Sequence, residues 1–489
     1  MGIVKLVIKD EVNIKIEGLE LDARRRLANT FKYFAPYAKY HPAYKLGRWD
    51  GTVSLFGLGG NGYLSQLEKI MEVLHSMKIS IEDVIDERGR HDLSFTEVTE
   101  TYWADMGAVW PVGHQQAGQP IMLRDYQVAA INTFIKHPQA LQEIATGAGK
   151  TITTATLSHL AEKIGRVIII VPNKSLVEQT EEDFVNVGLD VGVYYGDRKD
   201  LNKTHTICTW QSLNVLDKKS KNNEQEILSL AEFLDGVKTV IVDEVHMAKA
   251  EVLKNLLTQN LCNAPIRWGL TGTVPKEDHE SQSIFASIGP VVGSLSAKEL
   301  QDKGVLSQCH VNVVQLIDLK EFPSYSDELK YLVTDEDRMS YIAKLIKEIS
   351  QTGNTLVLVN RIDSGKFLSN EIPDTVFISG AVKTKDRKDE YDEIKTSDNK
   401  IIVATFGVAA VGINVPRIFN LVLLEPGKSF VRVIQSIGRG IRKAEDKDFV
   451  QIWDITSNCK YAKRHLTERK KFYKDAKYPF TIQKTDWQK

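Results

Sequence analysis

Residues 166–172 read "RVIIIVP" and residues 238–244 read "KTVIVDE". Each stretch is a short, unbroken apolar run closed by a turn residue or by acids, with no alternation of apolar and polar positions. A strand of this kind is buried on both faces, which is typical of a parallel sheet covered by helices. The two stretches therefore predict strands of an α/β domain.

Similar runs recur on both sides of residue 310: "HTICT" (205–209), "IRWGLTGT" (266–273), "NTLVLVN" (354–360), "TVFISG" (375–380), "KIIVAT" (400–405) and "LVLLE" (421–425). Each is followed by turn residues and then by a helical pattern. Two such series predict two doubly wound α/β domains in tandem.

The first hundred residues have a different pattern of apolar and polar residues, which predicts a small α+β domain. The expected elements are a strand pair at 4–10 and 12–18, a helix from about Leu21, a strand near 51–56 and an amphipathic helix over 64–77. Residues 106–120, "MGAVWPVGHQQAGQP", are rich in Gly and Pro without periodicity, so they are interpreted as a linker or a draped loop.

Bulk composition excludes several classes of protein. A length of 489 residues predicts two to four domains, and a net charge of −1 means that any polyanion binding must use local patches. The four cysteines are far apart and form no C-x-x-C pair, which argues against a zinc ribbon and fits a reducing cytoplasm. The N-terminus alternates and no apolar run approaches about 18 residues, so neither a signal peptide nor a membrane span is expected.

The strongest local motif is "ATGAGKT", residues 145–151. A loop of small residues at the start of a helix lets backbone N–H groups surround a triphosphate. Lys150 is expected to reach the β- and γ-phosphates of ATP, and the Thr151 hydroxyl to ligate Mg²⁺. The general phosphate-loop pattern has glycine at the position of Ile144, which leaves a chance Gly-rich turn as the alternative. The loop residues expected to line ATP are Thr146, Gly147, Ala148 and Gly149.

An acidic pair follows the apolar run of residues 239–242. Asp243 is expected to hold Mg²⁺ through water, and Glu244 to polarise the water that attacks the γ-phosphate. The alternative, a solvated acidic strand end, is common for a single Asp-Glu pair but weak downstream of a phosphate loop. His246 is either a packed polar side chain or, as we expect here, a hydrogen-bonding group across an ATP cleft.

Taken together, the motifs resemble those of superfamily 2 helicases and translocases. They occur in the family's order and spacing: "LRDYQ" (123–127), "ATGAGKT" (145–151), "VPNKSLVEQT" (171–180), "TWQSL" (209–213), "DEVH" (243–246), "LTGT" (270–273), "LVLVNR" (356–361), "ATFGVAAVGINVP" (404–416) and "QSIGRGIRK" (435–443). The resemblance covers about residues 121–445, and in this family the first glycine of the phosphate motif is absent, which removes the objection from Ile144.

The resemblance implies that ATP lies between two RecA-like domains. Arg439 and Arg442 would act as arginine fingers on the γ-phosphate, with Gln435 beside them, although a solvated helix face is the alternative for both arginines. Further ATP contacts are implied for Gly412 and for Gln127, whose amide can read the adenine edge with help from Arg124 and Tyr126. Three further residues would couple the site to movement: His246, Thr271 and Thr273.

The same resemblance implies where nucleic acid is held. Its expected contacts with backbone phosphates are Lys174, Thr209, Gln211 and Arg361. Trp210 is either a stacking residue or, more commonly for a Trp after a buried strand, part of the core. The segment from Lys460 to Lys489 has ten Lys/Arg against three acids, which fits either a duplex-binding extension or a solvated helix face.

Residues 23–49, "ARRRLANTFKYFAPYAKYHPAYKLGRW", combine seven basic residues, seven aromatic rings and no acid. One interpretation is a helix that buries Leu27, Phe31 and Phe34 with its cations facing water. The other is a patch that grips a second duplex arm, with a tyrosine or Trp49 stacking on an unpaired base. The cations proposed for the patch are Arg25, Lys39, Lys45 and Arg48, and Arg26 is also unexplained by the helix.

Residues 40–56 and 62–70 resemble the front domain of the UvsW-type recombination helicases of tailed bacteriophages. That resemblance implies a 3′-to-5′ DNA helicase or translocase acting on Holliday junctions, stalled forks and R-loops in recombination and repair. It also implies DNA or an RNA–DNA hybrid as partner, a monomer, and action in the cytoplasm of a bacterial host. The expected domains are 1–100 (α+β), 101–120 (linker), 121–305 and 306–455 (RecA-like), and 456–489 (basic extension).

Other functions stay open from sequence. An RNA helicase or an R-loop-specific unwinder is one alternative, although "DEVH" departs from the "DEAD" of RNA-remodelling helicases. A duplex translocase subunit of a restriction-type complex is another, with no nuclease motif standing out in this chain. A nucleotide-gated binding module is the third, and the set of catalytic residues argues against it.

Overall fold

The computed structural model describes residues 3–112, 114, 116–196, 198–222, 228–246, 251–275, 278–379, 397–408, 417–429, 433, 436–438, 440–444 and 446–488. The chain divides into two compact units. The first contains Met1–Glu143 and Gly149–Ser294, and the second contains Ile144–Ala148 and Leu295–Lys489.

The first unit begins with a small α+β domain, as predicted. Its strands are β1 (Lys5–Ile8), β2 (Asn13–Glu17), β3 (Lys32–Phe34), β4 (Thr52–Ser54), β5 (Asn61–Tyr63) and β6 (Asp83–Asp86). Its helices are Leu21–Thr30, Pro42–Lys45 and Leu67–Ser76, with short 3₁₀ turns at Pro36–Tyr40 and Leu64–Gln66. One sheet has the order β5-β2-β1-β6, and β3 pairs separately with β4.

Alternation decides which side of this small sheet is buried. Leu6, Ile8, Ile14 and Ile16 point inward, where they pack with Leu27 of the first helix. The helix interpretation of the basic-aromatic stretch holds for the buried Leu27 and Phe31 but is wrong for Phe34, because the helix ends at Thr30 and Phe34 lies on β3 with 39% of its surface exposed. The pairing of β3 with β4 ends the helical spacing that would have placed Phe34 on the buried face.

The turn between β1 and β2 attaches this domain to the rest of the first unit. The Glu11 N–H donates to the Cys262 carbonyl at 3.0 Å, and the Gln139 amide donates to the Glu11 carbonyl at 2.8 Å. The Asn13 amide donates to the Thr258 carbonyl at 2.9 Å. These long-range bonds hold the small domain against the sheet that follows.

The larger sheet of the first unit is mostly parallel. Its strands are β7 (Gln139–Ile144), β8 (Arg166–Val171), β9 (Val191–Tyr195), β10 (Arg198–Lys199), β11 (His205–Thr209), β12 (Val237–Asp243), β13 (Ile266–Thr271) and β14 (Val291–Leu295). Their order is β10-β9-β11-β8-β12-β13-β7-β14, and β10 runs antiparallel to β9. Around it lie the helices Asp125–Lys136, Lys150–Ala161, Lys174–Asn186, Trp210–Lys221, Leu230–Phe233, Glu251–Asn255 and Asp278–Ser287, with a π-helical turn at Leu256–Asn260.

The segment before this sheet is anchored at its start. The short helix Tyr102–Asp105 places Trp103 in a buried position, where its indole N–H donates to the Thr156 hydroxyl at 2.8 Å. The Tyr102 hydroxyl lies 2.7 Å from His159 Nδ1. The expected linker is therefore fastened to the helix Lys150–Ala161 at this point.

The second unit contains a seven-stranded sheet. Its strands are β15 (Gln308–Leu316), β16 (Thr355–Val359), β17 (Val376–Ile378), β18 (Ile401–Thr405), β19 (Asn420–Leu424), β20 (Phe449–Ser457) and β21 (Phe480–Thr485). They are parallel, in the order β17-β18-β16-β19-β20-β15-β21. Its helices include Ala297–Asp302, Tyr325–Thr334, Glu336–Ser350, Ile362–Glu371 and Lys460–Asp475. The prediction of two tandem parallel-sheet α/β domains behind a small α+β domain is confirmed.

Residues 456–489, expected to form a basic extension, contribute the last helix and the edge strand β21 of this sheet. Arg469 in that helix is buried and forms a two-pronged ion pair with Asp454, at 2.8 and 2.9 Å. The Tyr473 hydroxyl donates to the same carboxylate at 2.8 Å. At least one cation of the expected basic surface is thus a core residue.

Within the described parts of the chain, no helix has the length and apolar character needed to cross a bilayer.

Candidate functional site

The phosphate loop lies between β7 and the helix Lys150–Ala161, the strand–loop–helix context that its motif requires. Gly147 and Gly149 have φ angles of +92° and +78°, in the left-handed region that favours glycine. A Cβ on Gly149 would also lie 2.6 Å from Nε2 of Gln127. The backbone at both positions therefore favours glycine.

Gln127 connects this loop to the preceding helix. Its buried amide accepts a hydrogen bond from the Arg124 N–H at 2.9 Å and approaches the Gly149 carbonyl at 3.4 Å. Arg124 in turn donates to the Tyr126 hydroxyl at 2.7 Å. The three residues expected beside adenine are thus brought together at the start of the helix Asp125–Lys136, next to the phosphate loop.

Lys150 and the acidic pair meet at the carboxyl end of β12. Lys150 Nζ lies 3.6 Å from Glu244 Oε1, and both side chains are at least 85% buried. Burial raises the pKa of Asp243 to about 6, against the lowering effect of the Lys150 ammonium. Glu244 has a φ of +53°, an uncommon conformation for a residue with a Cβ. A strained acid beside a buried lysine is the arrangement expected of a catalytic site.

His246 connects the acidic pair to the neighbouring strand. Its Nδ1 lies 3.3 Å from Glu244 Oε2 and 3.0 Å from the Thr271 hydroxyl. The Thr271 hydroxyl donates its only proton to the Thr273 carbonyl at 2.9 Å, so the contact with His246 requires Nδ1–H as the donor. Thr271 thus contacts both of the other residues expected to couple the site, His246 and Thr273, within the first unit.

Thr151 has a neighbour that the sequence interpretation missed. Its hydroxyl is hydrogen-bonded to Asp183, a carboxylate in the helix Lys174–Asn186, and burial raises the pKa of Asp183 to about 6. Asp183 follows the buried Thr180 by three positions, so helical spacing does place it on the inner face. This spacing is the sequence signal that could have identified Asp183 as a neighbour of the site.

The donors fit a magnesium ion. Thr151 and Asp243 offer only hydroxyl and carboxylate oxygens, the ligands that this hard cation prefers. Burial opposes the charge of Asp243, so a divalent cation beside it would relieve an existing cost. When bound, Mg²⁺ would neutralise charge on the β- and γ-phosphates.

Three of the residues expected from the second RecA-like domain, Gly412, Gln435 and Arg439, lie outside the described residues. Arg442 is described and forms a bridge with Leu306. The segment before it is fixed by two bonds: Ser307 N–H donates to the Ile441 carbonyl at 2.8 Å, and Lys447 Nζ donates to the Gly440 carbonyl at 2.9 Å. Lys447 is a buried lysine that lies beyond the motif of residues 435–443.

The expected nucleic-acid residues of the first unit lie where β8 and β11 end, because these strands are neighbours with Val171 opposite Thr209. Gln211 is exposed and donates to the Pro172 carbonyl at 3.1 Å, and Lys174 is exposed with its ammonium 5.4 Å from the Tyr195 ring centre. Thr209 is buried and accepts a hydrogen bond from the Ser212 N–H at 3.3 Å as a helix cap.

Trp210 and Arg361 are the two remaining residues expected at the nucleic-acid path. Trp210 packs against the hydrophobic core, which agrees with its structural interpretation. Arg361 lies in the second unit, at the start of the helix Ile362–Glu371 and after β16.

Acids just outside the basic-aromatic stretch pair with some of its cations. Arg25 lies 3.7 Å from Asp22, and Lys32 lies 2.6 Å from Asp50. Within the described part of the chain, no carboxylate lies within ion-pair distance of the three exposed cations Lys39, Lys45 and Arg48. Arg26 donates to the Ser76 hydroxyl at 3.3 Å.

Trp49 is partly buried and is held by two contacts within its own domain. Its indole N–H donates to the Thr52 carbonyl at 2.8 Å, and its ring contacts His41 edge-on with centres 5.4 Å apart. Tyr40 is 80% exposed.

Comparison with known proteins gives one family match in each of the two compact units. Residues 120–276 match the family model of the type III restriction enzyme res subunit, and residues 337–444 match that of the helicase conserved C-terminal domain. The ATP-dependent DNA helicase uvsW of Enterobacteria phage T4 is 23% identical over 494 residues, which cover 96% of this chain and 93% of that protein. The DNA 3′-5′ helicase XPB of Mycobacterium tuberculosis is 24% identical over 414 residues, covering 78% of this chain and 68% of XPB.

A solved structure supports the fold. S. cerevisiae Dbp5 bound to RNA and ADP BeF3 superposes with a TM-score of 0.53 at 15% identity, covering 75% of this chain and 91% of Dbp5. With the two family matches in this order, the chain belongs to the superfamily 2 helicases, and its activity is ATP hydrolysis by two tandem RecA-like domains. Within that class it is similar to the UvsW-type DNA helicases of tailed bacteriophages.

Proposed function

We propose that this protein is an ATP-driven DNA motor that moves 3′-to-5′ and remodels branched DNA, such as Holliday junctions, stalled forks and R-loops. The observation that carries the proposal is the extent of its likeness to uvsW, 96% of the chain. That likeness reaches the region before residue 120, which neither family model covers. The names of uvsW and XPB support DNA as the substrate, and that of XPB supports the polarity.

ATP and Mg²⁺ are the proposed cofactors. The phosphate loop would hold the triphosphate through its backbone N–H groups and Lys150, with Thr151 and Asp243 toward the metal. Glu244 would orient the attacking water, since its carboxylate is fixed between Lys150 and His246 at 3.6 and 3.3 Å. From the second domain, Arg439 and Arg442 would stabilise charge on the γ-phosphate, with Gln435 and Gly412 nearby.

The path of the tracked strand would cross the carboxyl ends of β8 and β11. Lys174 and Gln211 are the exposed side chains there, so they support phosphate contacts directly. Thr209 would contribute by fixing the helix that carries Gln211, because its own hydroxyl caps that helix. Arg361 would play the corresponding part in the second domain.

Branch specificity would come from the small N-terminal domain. It belongs to the same compact unit as the first RecA-like domain and is held there by bonds from Glu11 and Asn13. A duplex arm bound to its exposed cations would therefore be kept at a fixed distance from the motor. The protein would do this as a monomer in the cytoplasm of a bacterial host.

The proposal is tested by measuring ATPase stimulation and unwinding on a panel of substrates. The panel contains single-stranded DNA, RNA, linear duplex, forks, four-way junctions and R-loops of matched length. We expect forks and four-way junctions to be processed faster than linear duplex, and DNA to stimulate ATP hydrolysis more than RNA. Equal rates on linear and branched duplex would contradict branch specificity, and preference for RNA would contradict the choice of DNA.

A second candidate is a translocase that moves on duplex DNA without opening it, as one subunit of a restriction-type complex. The match of residues 120–276 to a restriction-enzyme subunit favours it. Displacement of a triplex-forming oligonucleotide from duplex DNA, without release of single strands from any branched substrate, would select this candidate.

A further inference from the structure

The segment from Lys39 to Arg48 exposes two large apolar side chains among cations. Tyr40 and Leu46 are 80% and 65% exposed, at the two ends of the one-turn helix Pro42–Lys45. Lys39 and Lys45 precede them directly in the chain, and Arg48 follows two residues after Leu46. Exposed apolar side chains beside cations are typical of surfaces that contact nucleic-acid bases and phosphates together.

This segment has a defined conformation. The His41 ring nitrogen accepts a hydrogen bond from the Ala43 N–H at 3.2 Å, and the Ala43 carbonyl accepts from the N–H groups of Arg48 and Trp49 at 2.8 and 3.2 Å. The Tyr44 ring packs edge-on against Phe34, with centres 5.7 Å apart. The inner rings thus hold the segment in place.

The outer side chains, those of Tyr40 and Leu46, are mostly exposed to solvent. Neither Tyr40 nor Leu46 belongs to the core cluster of the N-terminal domain. Holding such groups in water has no structural benefit, whereas a preorganised apolar surface binds with a smaller loss of entropy.

Charge decides which occupant fits this surface. Lys39, Lys45 and Arg48 are exposed, and the acids flanking the stretch are engaged by Arg25 and Lys32. The surface is therefore complementary to phosphate. A linear duplex offers phosphates but hides the faces of its bases by stacking, whereas a branch point offers phosphates together with an unstacked base face.

We propose that Tyr40 stacks on the exposed base at a DNA branch point and that Leu46 packs beside it, while Lys39, Lys45 and Arg48 bind the adjoining phosphates. This inference rests on the proposed function and deepens it, because it states how a branched substrate is distinguished from a linear one. The tyrosine hydroxyl is not needed for stacking, so the ring alone carries the contact.

The test measures dissociation constants of the full-length protein for a four-way junction and for a linear duplex of equal length. Tyr40→Ala is expected to weaken junction binding about fivefold or more, with less than a twofold change on the duplex. Tyr40→Phe is expected to bind the junction as the unmodified protein does. The matched control is Val84→Ala, which shortens a side chain that is 58% exposed on β6 of the same domain.

A second measurement reads the stacking directly. A 2-aminopurine base at the junction centre is expected to lose fluorescence on binding the unmodified protein and Tyr40→Phe, and to lose less on binding Tyr40→Ala. An equal loss with Tyr40→Ala, or equal weakening on junction and duplex, would overturn the inference while leaving the proposed function intact. If the unmodified protein binds the duplex as tightly as the junction, the proposed function fails and this inference fails with it.

Discussion

At the scale of single residues, the protein holds several charges out of water, and each has a specific partner. Arg338 is fully buried, with Nε 3.2 Å from Asp318 Oδ1 and a terminal nitrogen 3.0 Å from Glu425 Oε1. Burial raises the pKa of Glu425 to about 7, although the charges of Arg338 and Arg469 act in the opposite direction. Such a cluster is stable only while its members are paired.

Replacing Arg338 by Met is therefore expected to destabilise the protein by about 3–5 kcal/mol, because two buried carboxylates lose their main counter-ion. The matched control is Arg198→Met, which removes an exposed two-pronged pair with Glu181 at 2.8 Å and should cost about 1 kcal/mol or less. Urea unfolding of the two variants gives the comparison. Similar losses for both would contradict the assignment of Arg338 as a buried structural ion.

The residue scale also shows what sequence patterns can predict. The phosphate loop, the acidic pair and the contact of His246 with Thr271 all follow from motifs whose spacing fixes their chemistry. Asp183 and Lys447 belong to no motif: helical spacing was the only sequence signal for Asp183, and the burial of Lys447 depends on its contact with the Gly440 carbonyl. The composition of residues 23–49 does not predict the pairing of Arg25 with Asp22, because this acid directly precedes the stretch.

At the scale of elements, the segment that carries Arg442 depends on a lysine beyond it. Lys447 is buried, and its Nζ donates to the Gly440 carbonyl at 2.9 Å. Burial lowers the pKa of Lys447 to about 7, with Arg442 lowering it further and Asp446 raising it. Since Gly440 lies two residues before Arg442, this bond helps to fix the segment that carries Arg442.

Burial of Lys447 makes the free energy of unfolding depend on pH. Between the folded pKa of about 7 and the ordinary value of about 10.4, the unfolded chain binds a proton that the folded chain lacks. The free energy of unfolding therefore rises with pH in that window, by up to about 1.4 kcal/mol per pH unit. Below pH 7 the folded protein carries the buried ammonium charge of Lys447, so the full cost of burying that charge is present there.

Lys447→Met is expected to remove this contribution, so that its unfolding free energy rises less steeply from pH 7 to 9 than that of the unmodified protein. Denaturant unfolding at several pH values measures the slope. Lys443→Met is the control, because Lys443 is exposed and pairs with Asp448 at 3.2 Å. If the Lys447 and Lys443 variants have the same slope, the burial of the Lys447 charge is contradicted.

Element prediction succeeded where the pattern was local. Unbroken apolar runs predicted the buried strands β8, β12, β16 and β19, and alternation predicted β1 and β2. The position of Phe34 was wrong because helical spacing continues past Thr30 by coincidence, while the pairing of β3 with β4 depends on residues twenty positions away. Net charge likewise gave no sign that Arg469 is buried, since its partner Asp454 lies on another element.

At the scale of the whole molecule, the small N-terminal domain and the first RecA-like domain form one compact unit. The bond from the Glu11 N–H joins two backbone groups, and the side-chain amides of Asn13 and Gln139 add two bonds to backbone carbonyls across the same boundary. In the proposed function, a substrate arm bound to the N-terminal domain would therefore keep a fixed position relative to the first RecA-like domain.

Charge reversal tests whether the N-terminal domain contributes to this selection. Lys39→Glu, Lys45→Glu and Arg48→Glu combined are expected to weaken junction binding roughly tenfold or more at low salt, and to reduce ATPase stimulated by single-stranded DNA much less. Arg25→Glu, whose cation already has Asp22 as a partner, should have a smaller effect on the junction. Equal losses in junction binding and in stimulated ATPase would contradict a role in branch recognition.

The measurement that tests the central claim most directly is the conversion of a four-way junction to duplex products with ATP and Mg²⁺, compared between the unmodified protein and Glu244→Gln. Because Glu244 lies beside Lys150 and His246 without forming the phosphate loop itself, the variant should still bind ATP while hydrolysis falls about 100-fold or more. Junction conversion by the unmodified protein, and its loss in the variant with ATP binding retained, is the predicted result. Junction conversion by Glu244→Gln at the unmodified rate would contradict an ATP-driven motor.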